Sequence, residues 1–311
     1  MKLNRVSDYF FKYLLGNEQN KQLSLHFINS ALGNGQQLFT DVEFLNKDMD
    51  PVHLGNKLVK LDIRAKVNTG QQIEIEMQVC SYKFMVERSL YYWSKMYSSQ
   101  LPEGEKYSRL KPCISVSMLD FELLKDAPEW YNIYMLRAKN LESPLTDHQK
   151  MIFLELPKLE KKLESTPFAE LSPIEQWGAY FTGKVGNAEM EAIPIMKSAL
   201  EAESKFTENE RMMYINDMRE KAIRDYYSGM EDAKEEGIAI GVKRGREEGR
   251  EQGREEGRAE GVAIGAEETS KKKDAETVKL LLIAGMDNAF IKTIVHSYTD
   301  EAIDAIRKEL A

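Results

Sequence analysis

Two adjacent stretches of this chain alternate apolar and polar residues with a period of two. In residues 57–68, KLVKLDIRAKVN, Val59, Leu61, Ile63, Ala65 and Val67 are apolar and Lys60, Asp62, Arg64 and Lys66 stand between them. In residues 71–80, QQIEIEMQVC, the apolar set is Ile73, Ile75, Met77 and Val79, and Glu74, Glu76 and Gln78 face the other way. That period marks half-buried strands. Asn68-Thr69-Gly70 between them suits a three-residue hairpin loop with glycine in the left-handed position. Such a loop pairs Val67 with Gln71 and, counted outwards, sets Asp62 opposite Glu76. The same register keeps both apolar sets on one face.

Two carboxylates facing each other across a strand pair, roughly 5 Å apart at Cβ, repel and weaken a sheet. A divalent cation between them removes that penalty, so the hairpin is a candidate metal site. The competing reading is a solvated sheet face on which Lys60, Arg64 and Lys66 pair with Glu74 and Glu76. Further strands are predicted at TDVEFLNKD, CISVSMLDF (113–121), YNIYMLRA (131–138) and MIFLELP (151–157). From Pro167 the pattern turns helical: 168–181 and 188–206 are amphipathic, and a charged helix is predicted from Thr207 through Met230.

The order of elements narrows the choice. A helix carries Asp8 in SDYFFKYLLG, with the spacing Asp-x-x-Phe-Lys; a strand, the Asp62 strand and the Glu76-Met77-Gln78 strand follow. Then comes a helix, SYKFMVERSLYYWSKMY, with Arg88 and the pair Tyr91-Tyr92. Over roughly residues 1–160 this resembles the PD-(D/E)XK nuclease family transposases, also called recombination-promoting nucleases. The resemblance implies an α/β fold with a PD-(D/E)XK restriction-endonuclease-like core, a mixed sheet flanked by helices, followed by an α-helical C-terminal region. It implies a metal-dependent DNA endonuclease linked to recombination or mobile elements.

On that resemblance Asp62, Glu76 and Gln78 are the catalytic set. Asp62 and Glu76 supply hard oxygen ligands suited to Mg²⁺ or Mn²⁺, with the backbone carbonyl of Met77 as a further ligand. Most of the superfamily has lysine where Gln78 stands; glutamine is usual in this family, and its amide can orient a water. Asp8, behind Ser7, is either a helix-terminus charge or a supporting group of the metal shell. Arg88, Tyr92 and Lys95 are the DNA-binding candidates, holding phosphates and stacking on an exposed base. The alternative is that this helix buries Phe84, Leu90, Trp93 and Tyr97 and merely solvates its charges. Two other functions stay open: a non-catalytic DNA-binding or assembly protein on the same fold, and a three-carboxylate transposase, disfavoured because Gln78 is neutral.

Composition adjusts this picture in a few places. The net charge of −8 is unevenly spread: residues 1–139 hold 18 Lys and Arg against 16 Asp and Glu, so the acidic surplus lies behind them. DNA affinity then rests on a local patch and is salt-sensitive. Cys80 and Cys113 are too few for a disulfide framework, and His26, His53, His148 and His296 are scattered, so no zinc site is expected. No apolar run approaches the ~20 residues of a membrane span, and no secretory leader is evident. A cytoplasmic protein without a membrane partner is expected.

The organisation read from the sequence is a nuclease-like domain over 1–160, a helical region over 161–236, a glycine-spaced charged linker or helix over 237–273, and a small helical module over 274–311. In the third part Gly237, Gly241, Gly245, Gly249, Gly253, Gly257, Gly261 and Gly265 recur every fourth residue. Four residues turn a helix by about 400°, so this stripe drifts ~40° per repeat. Each glycine costs ~1 kcal/mol against alanine. Glu247–Arg250 and Glu251–Arg254 favour a helix at i, i+3. A semi-helical spacer, a seam for a homo-oligomer and a DNA tether are the readings, in that order. In the last part Gly285 suits a helix C′ position and Thr299 an N-cap. Its 4 Lys and Arg against 7 Asp and Glu favour a protein-interaction module over a DNA-reading helix-turn-helix.

Overall fold

The computed structural model describes residues 3–33, 36–45, 48–49, 59–60, 62–81 and 83–310. The chain divides into two compact units, Met1–Asp225 and Tyr226–Ala311. In chain order the first holds α1 (Asp8–Leu15), α2 (Lys21–Gly33), β1 (Val42–Phe44), β2 (Asp48–Met49), β3 (Val59–Lys60), β4 (Ile63–Val67), β5 (Gln72–Gln78) and α3 (Met85–Ser98). It continues with β6 (Cys113–Leu119), β7 (Tyr131–Tyr134), β8 (Gln149–Glu155), α4 (Leu156–Leu163), α5 (Pro173–Thr182), α6 (Asn187–Met190), α7 (Pro194–Glu208) and the first residues of α8 (Glu210–Ile283).

Six strands form one mixed sheet in the order β1-β4-β5-β6-β8-β7. β5, β6 and β8 run parallel, and β1–β4, β4–β5 and β7–β8 are antiparallel pairs. The β4–β5 register runs from Ile63 opposite Ile75 to Lys66 opposite Gln72. Val67 N–H donates to the Gln71 carbonyl at 3.0 Å, and Gly70 takes a φ of 89°. This is the three-residue loop that the spacing predicts. The strand expected over 57–68 differs, because it is interrupted. β3 pairs with β2 in a separate two-stranded sheet, Asp62 sits in a bend, and β4 starts only at Ile63. Residues 57–58 and Leu61 lie outside the described residues.

The two faces of the sheet are covered by different layers. Ile63, Ala65, Val67, Ile73, Ile75 and Met77 join Ile114, Val116 and Ile152 in the main core, with Phe10, Phe11, Phe27, Trp177 and Phe206 from α1, α2, α5 and α7. The opposite face lies toward α3, where Tyr92 and Met96 meet Cys113, and Met85 meets Leu119 and Phe153. Glu74 and Glu76 are on that second face, yet only 0% and 2% exposed. Helices α5 to α7 share this main core. α5 begins at a capping box formed by Ser172 and Glu175, with Pro173 in its first turn, and it drives Trp177, Tyr180 and Phe181 into the main core.

In the second unit α8 runs on through all eight glycines instead of ending near Met230. An added Cβ at any of these glycines would meet open space. Its ion pairs are i, i+4, Arg244–Glu248 at 2.9 Å and Lys271–Glu267 at 2.7 Å, rather than the i, i+3 pairs expected. α9 (Asn288–Ile294) and α10 (Asp300–Leu310) fold back so that Ile291, Val295 and Ile303 enclose Val278. Gly285, at φ 80°, ends α8: its N–H reaches the Leu282 carbonyl and that of Met286 reaches Leu281. Thr299 caps α10 through its hydroxyl on Ala302 N–H. Among the described residues no helix is long and apolar enough to cross a membrane.

Candidate active site

Counting outwards from Ile63 opposite Ile75 places Asp62 opposite Glu76. Asp62 Oδ2 accepts a hydrogen bond from Met77 N–H at 3.3 Å, which ties the bend to β5. Its Oδ1 lies 2.9 Å from Lys12 Nζ, brought in by α1. Lys12 also pairs with Asp8, one helical turn earlier, and Arg219 reaches the second oxygen of Asp8 at 3.3 Å. Ser7 caps α1 by accepting from Phe10 N–H, so Asp8 does lie in the first turn, where a negative charge suits the helix. The same Asp8 is linked through Lys12 to Asp62. Its two sequence readings are compatible.

Glu76 carries two donors on one oxygen. Gln78 Nε2 donates to Oε1 at 2.6 Å and Arg88 Nη2 at 2.8 Å. Arg88 comes from α3 and lies 5.0 Å over the ring of Tyr92. Two residues back on β5, Glu74 Oε2 accepts from Ser115 at 3.2 Å. Glu74 Oε1 is buried with no hydrogen-bond partner among the described residues. Burial pushes the Glu76 carboxyl up to about 7; Asp62 adds to this, and Arg88 and Lys12 oppose it. Burial and the neighbouring Glu76 hold Glu74 well above the ordinary carboxylate range. Burial also raises Asp62 against the pull of Lys12. For Lys12 burial works downwards, but Asp62 and Asp8 outweigh it and raise the ammonium.

The solvated-face reading of the hairpin fails on burial. Arg64 donates to Gln72 at 2.9 Å and to Ser99 at 3.1 Å, and Glu76 pairs with Arg88 on α3. Of the expected DNA-binding residues, Arg88 sits at the site and Lys95 lies 5.6 Å over the exposed ring of Tyr91. Tyr92 is only 9% exposed and packs on Met96 and Cys113. The helix buries Met85, Ser89, Tyr92 and Met96, while Phe84 and Leu90, expected inside, are 61% and 49% exposed. Sequence reasoning missed Lys12 and Glu74 as site residues. Lys12 stood in the Asp-x-x-Phe-Lys segment; Glu74 carried no signal beyond strand alternation.

The donor set suits a hard divalent cation. The Asp62 and Glu76 carboxyls lie close enough in a buried setting that Asp62 raises the protonation of Glu76, and a further buried carboxyl oxygen, Glu74 Oε1, has no hydrogen-bond partner among the described residues. Among the described residues no three His, Cys, Asp or Glu side chains gather as a closed ligand cluster. An ion there draws its remaining ligands from backbone, water or phosphate.

A hairpin feeding a parallel strand pair, helices on both faces and an Asp…Glu-x-Gln triplet define a PD-(D/E)XK restriction-endonuclease-like core. A family model described as PD-(D/E)XK nuclease family transposase matches residues 5–233, and the chain belongs to that family. No curated protein and no solved structure matches it.

Proposed function

We propose that the chain is a divalent-metal-dependent DNA endonuclease linked to recombination or mobile elements. What supports this reading is that Asp62, hydrogen-bonded to Met77 N–H, lies beside Glu76, and that Gln78 hydrogen-bonds Glu76. A bound Mg²⁺ or Mn²⁺ would lower the pKa of water and offset charge on the phosphate. Asp62 and Glu76 would hold it, with the Met77 carbonyl as a third donor. The Gln78 amide orients the attacking water, and Arg88 steadies a phosphate beside Glu76. A water oxygen would bond to phosphorus as a phosphorus–sugar oxygen bond breaks; the attacking water gives up a proton to solvent and the departing sugar oxygen takes one from solvent. DNA approaches along α3, where Tyr91 under Lys95 and Phe84 under Lys83 present exposed rings beside cations. The exposed glycine-spaced helix serves self-association in this reading.

Plasmid incubated with Mg²⁺, Mn²⁺, Ca²⁺ or EDTA tests it. Nicking that needs Mg²⁺ or Mn²⁺ and disappears in Asp62→Ala and Glu76→Ala supports the nuclease. One observation favours a second reading, a DNA-binding protein that does not cut: Lys12 and Arg88 already neutralise both carboxylates. Plasmid that is shifted but intact in all four conditions would establish that one.

A further inference from the structure

At the candidate site Asp62 and Glu76 each meet one protein cation. Lys12 Nζ lies 2.9 Å from Asp62, and Arg88 Nη2 lies 2.8 Å from Glu76. With both carboxyls ionised these four charges sum to zero, so a divalent ion entering alone would leave two uncompensated positive charges in a largely buried place. The two cations are held differently. Arg88 is pinned, its guanidinium over the Tyr92 ring and its Nη2 on Glu76. Lys12 is a point charge on a flexible four-carbon stem, with a second anion, Asp8, one turn away on its own helix. Asp8 is itself steadied by Arg219. An ammonium that gives up Asp62 therefore stays beside the site. Hydrolysis also develops negative charge on the phosphate, and a positioned cation there is worth much in a water-poor site. Gln78 is neutral and cannot supply it.

We propose that Lys12 is the movable cation of this centre, resting on Asp62 without metal and turning to the scissile phosphate when Asp62 takes the ion. This rests on the nuclease reading. It adds that Lys12 couples metal loading to DNA: the arriving phosphate takes the ammonium that otherwise competes with the ion for Asp62. Lys12 transfers no proton in this role; it remains an ammonium throughout.

The full-length chain is titrated with Mn²⁺ by calorimetry, without DNA and with an uncleavable phosphorothioate duplex, and plasmid nicking is measured alongside. For the parent protein the duplex is expected to tighten Mn²⁺ binding. Lys12→Met should bind Mn²⁺ roughly tenfold more tightly without DNA, a change of about 1.4 kcal/mol. It should lose most of the tightening by DNA and nick about a hundredfold more slowly. Lys12→Arg keeps the charge and should bind Mn²⁺ as weakly as the parent. If Lys12→Met fails to fold, the same readouts are taken on Lys12→Gln. A Lys12→Met or Lys12→Gln protein that binds Mn²⁺ equally or less tightly than the parent would make Lys12 a mere support for Asp62 and overturn the proposal, as would nicking by it at the parental rate. A parent protein that neither binds Mn²⁺ nor cuts overturns the nuclease reading and this inference with it.

Discussion

Gln78 Nε2 donates to Glu76 Oε1 at 2.6 Å, two residues apart on one face of β5. The amide thus touches the carboxylate that faces Asp62, and it shares that oxygen with Arg88. Removing it takes away a hydrogen bond to a charged group, worth about 1.5–3 kcal/mol. Gln78→Ala is expected to slow plasmid nicking by roughly ten- to hundredfold with little change in Mn²⁺ affinity. Gln78→Lys should keep partial activity. Equal rates in all three proteins would reduce Gln78 to a bystander on the strand face.

Glu76 gives the metal-free protein an unusual pH dependence. Its folded carboxyl is pushed up to about 7 by burial, against an ordinary value of 4.5. Between those values the folded state binds more protons than the unfolded chain, so stability falls as pH rises through this window. The buried shift corresponds to as much as about 3 kcal/mol. In EDTA, the melting temperature of the parent minus that of Glu76→Gln should drop from pH 5 to pH 8. A flat difference would show that Glu76 titrates near its ordinary value.

Neighbouring tyrosines on α3 have opposite fates, and that separates binding from folding. Tyr91 is 38% exposed under Lys95, while Tyr92 is buried on Met96 and Cys113. Tyr91→Ala should weaken binding of single-stranded DNA in Ca²⁺ by about 1–3 kcal/mol, the worth of one stacked base, with an unchanged melting temperature. Tyr92→Ala should cost roughly 3 kcal/mol of stability through the cavity it leaves. Weakened DNA binding by Tyr92→Phe, with Tyr91→Ala silent, would reverse this assignment.

The glycine-spaced part of α8 is exposed along its length, with open space at each glycine. If it joins copies of the chain, truncation after Glu236 should turn an oligomer into a monomer by light scattering. Metal-dependent nicking should survive, since Asp62, Glu76 and Gln78 all lie within the first unit. An unchanged oligomeric state would leave the helix as a spacer.

Local rules account for the parts of this molecule that were legible in the chain. Alternation made β4 and β5 recognisable, and a three-residue loop set their register, because the pleat repeats every two residues whatever surrounds it. That arithmetic set the β4–β5 register, and Gly285 and Thr299 marked helix ends for equally local reasons. Tertiary structure decided what those residues experience. Strand alternation says that Glu74 and Glu76 share a face, but only the packing of α3 over that face buries them and raises their carboxyls. Periodicity could not choose Tyr91 over Tyr92, because the buried stripe of a helix is defined by the partner it meets. Nor could it bring Lys12 to Asp62 across fifty residues, or carry Trp177 into the same core as Phe10. Those contacts are long-range, and their free energy exists only once the layers have closed on one another.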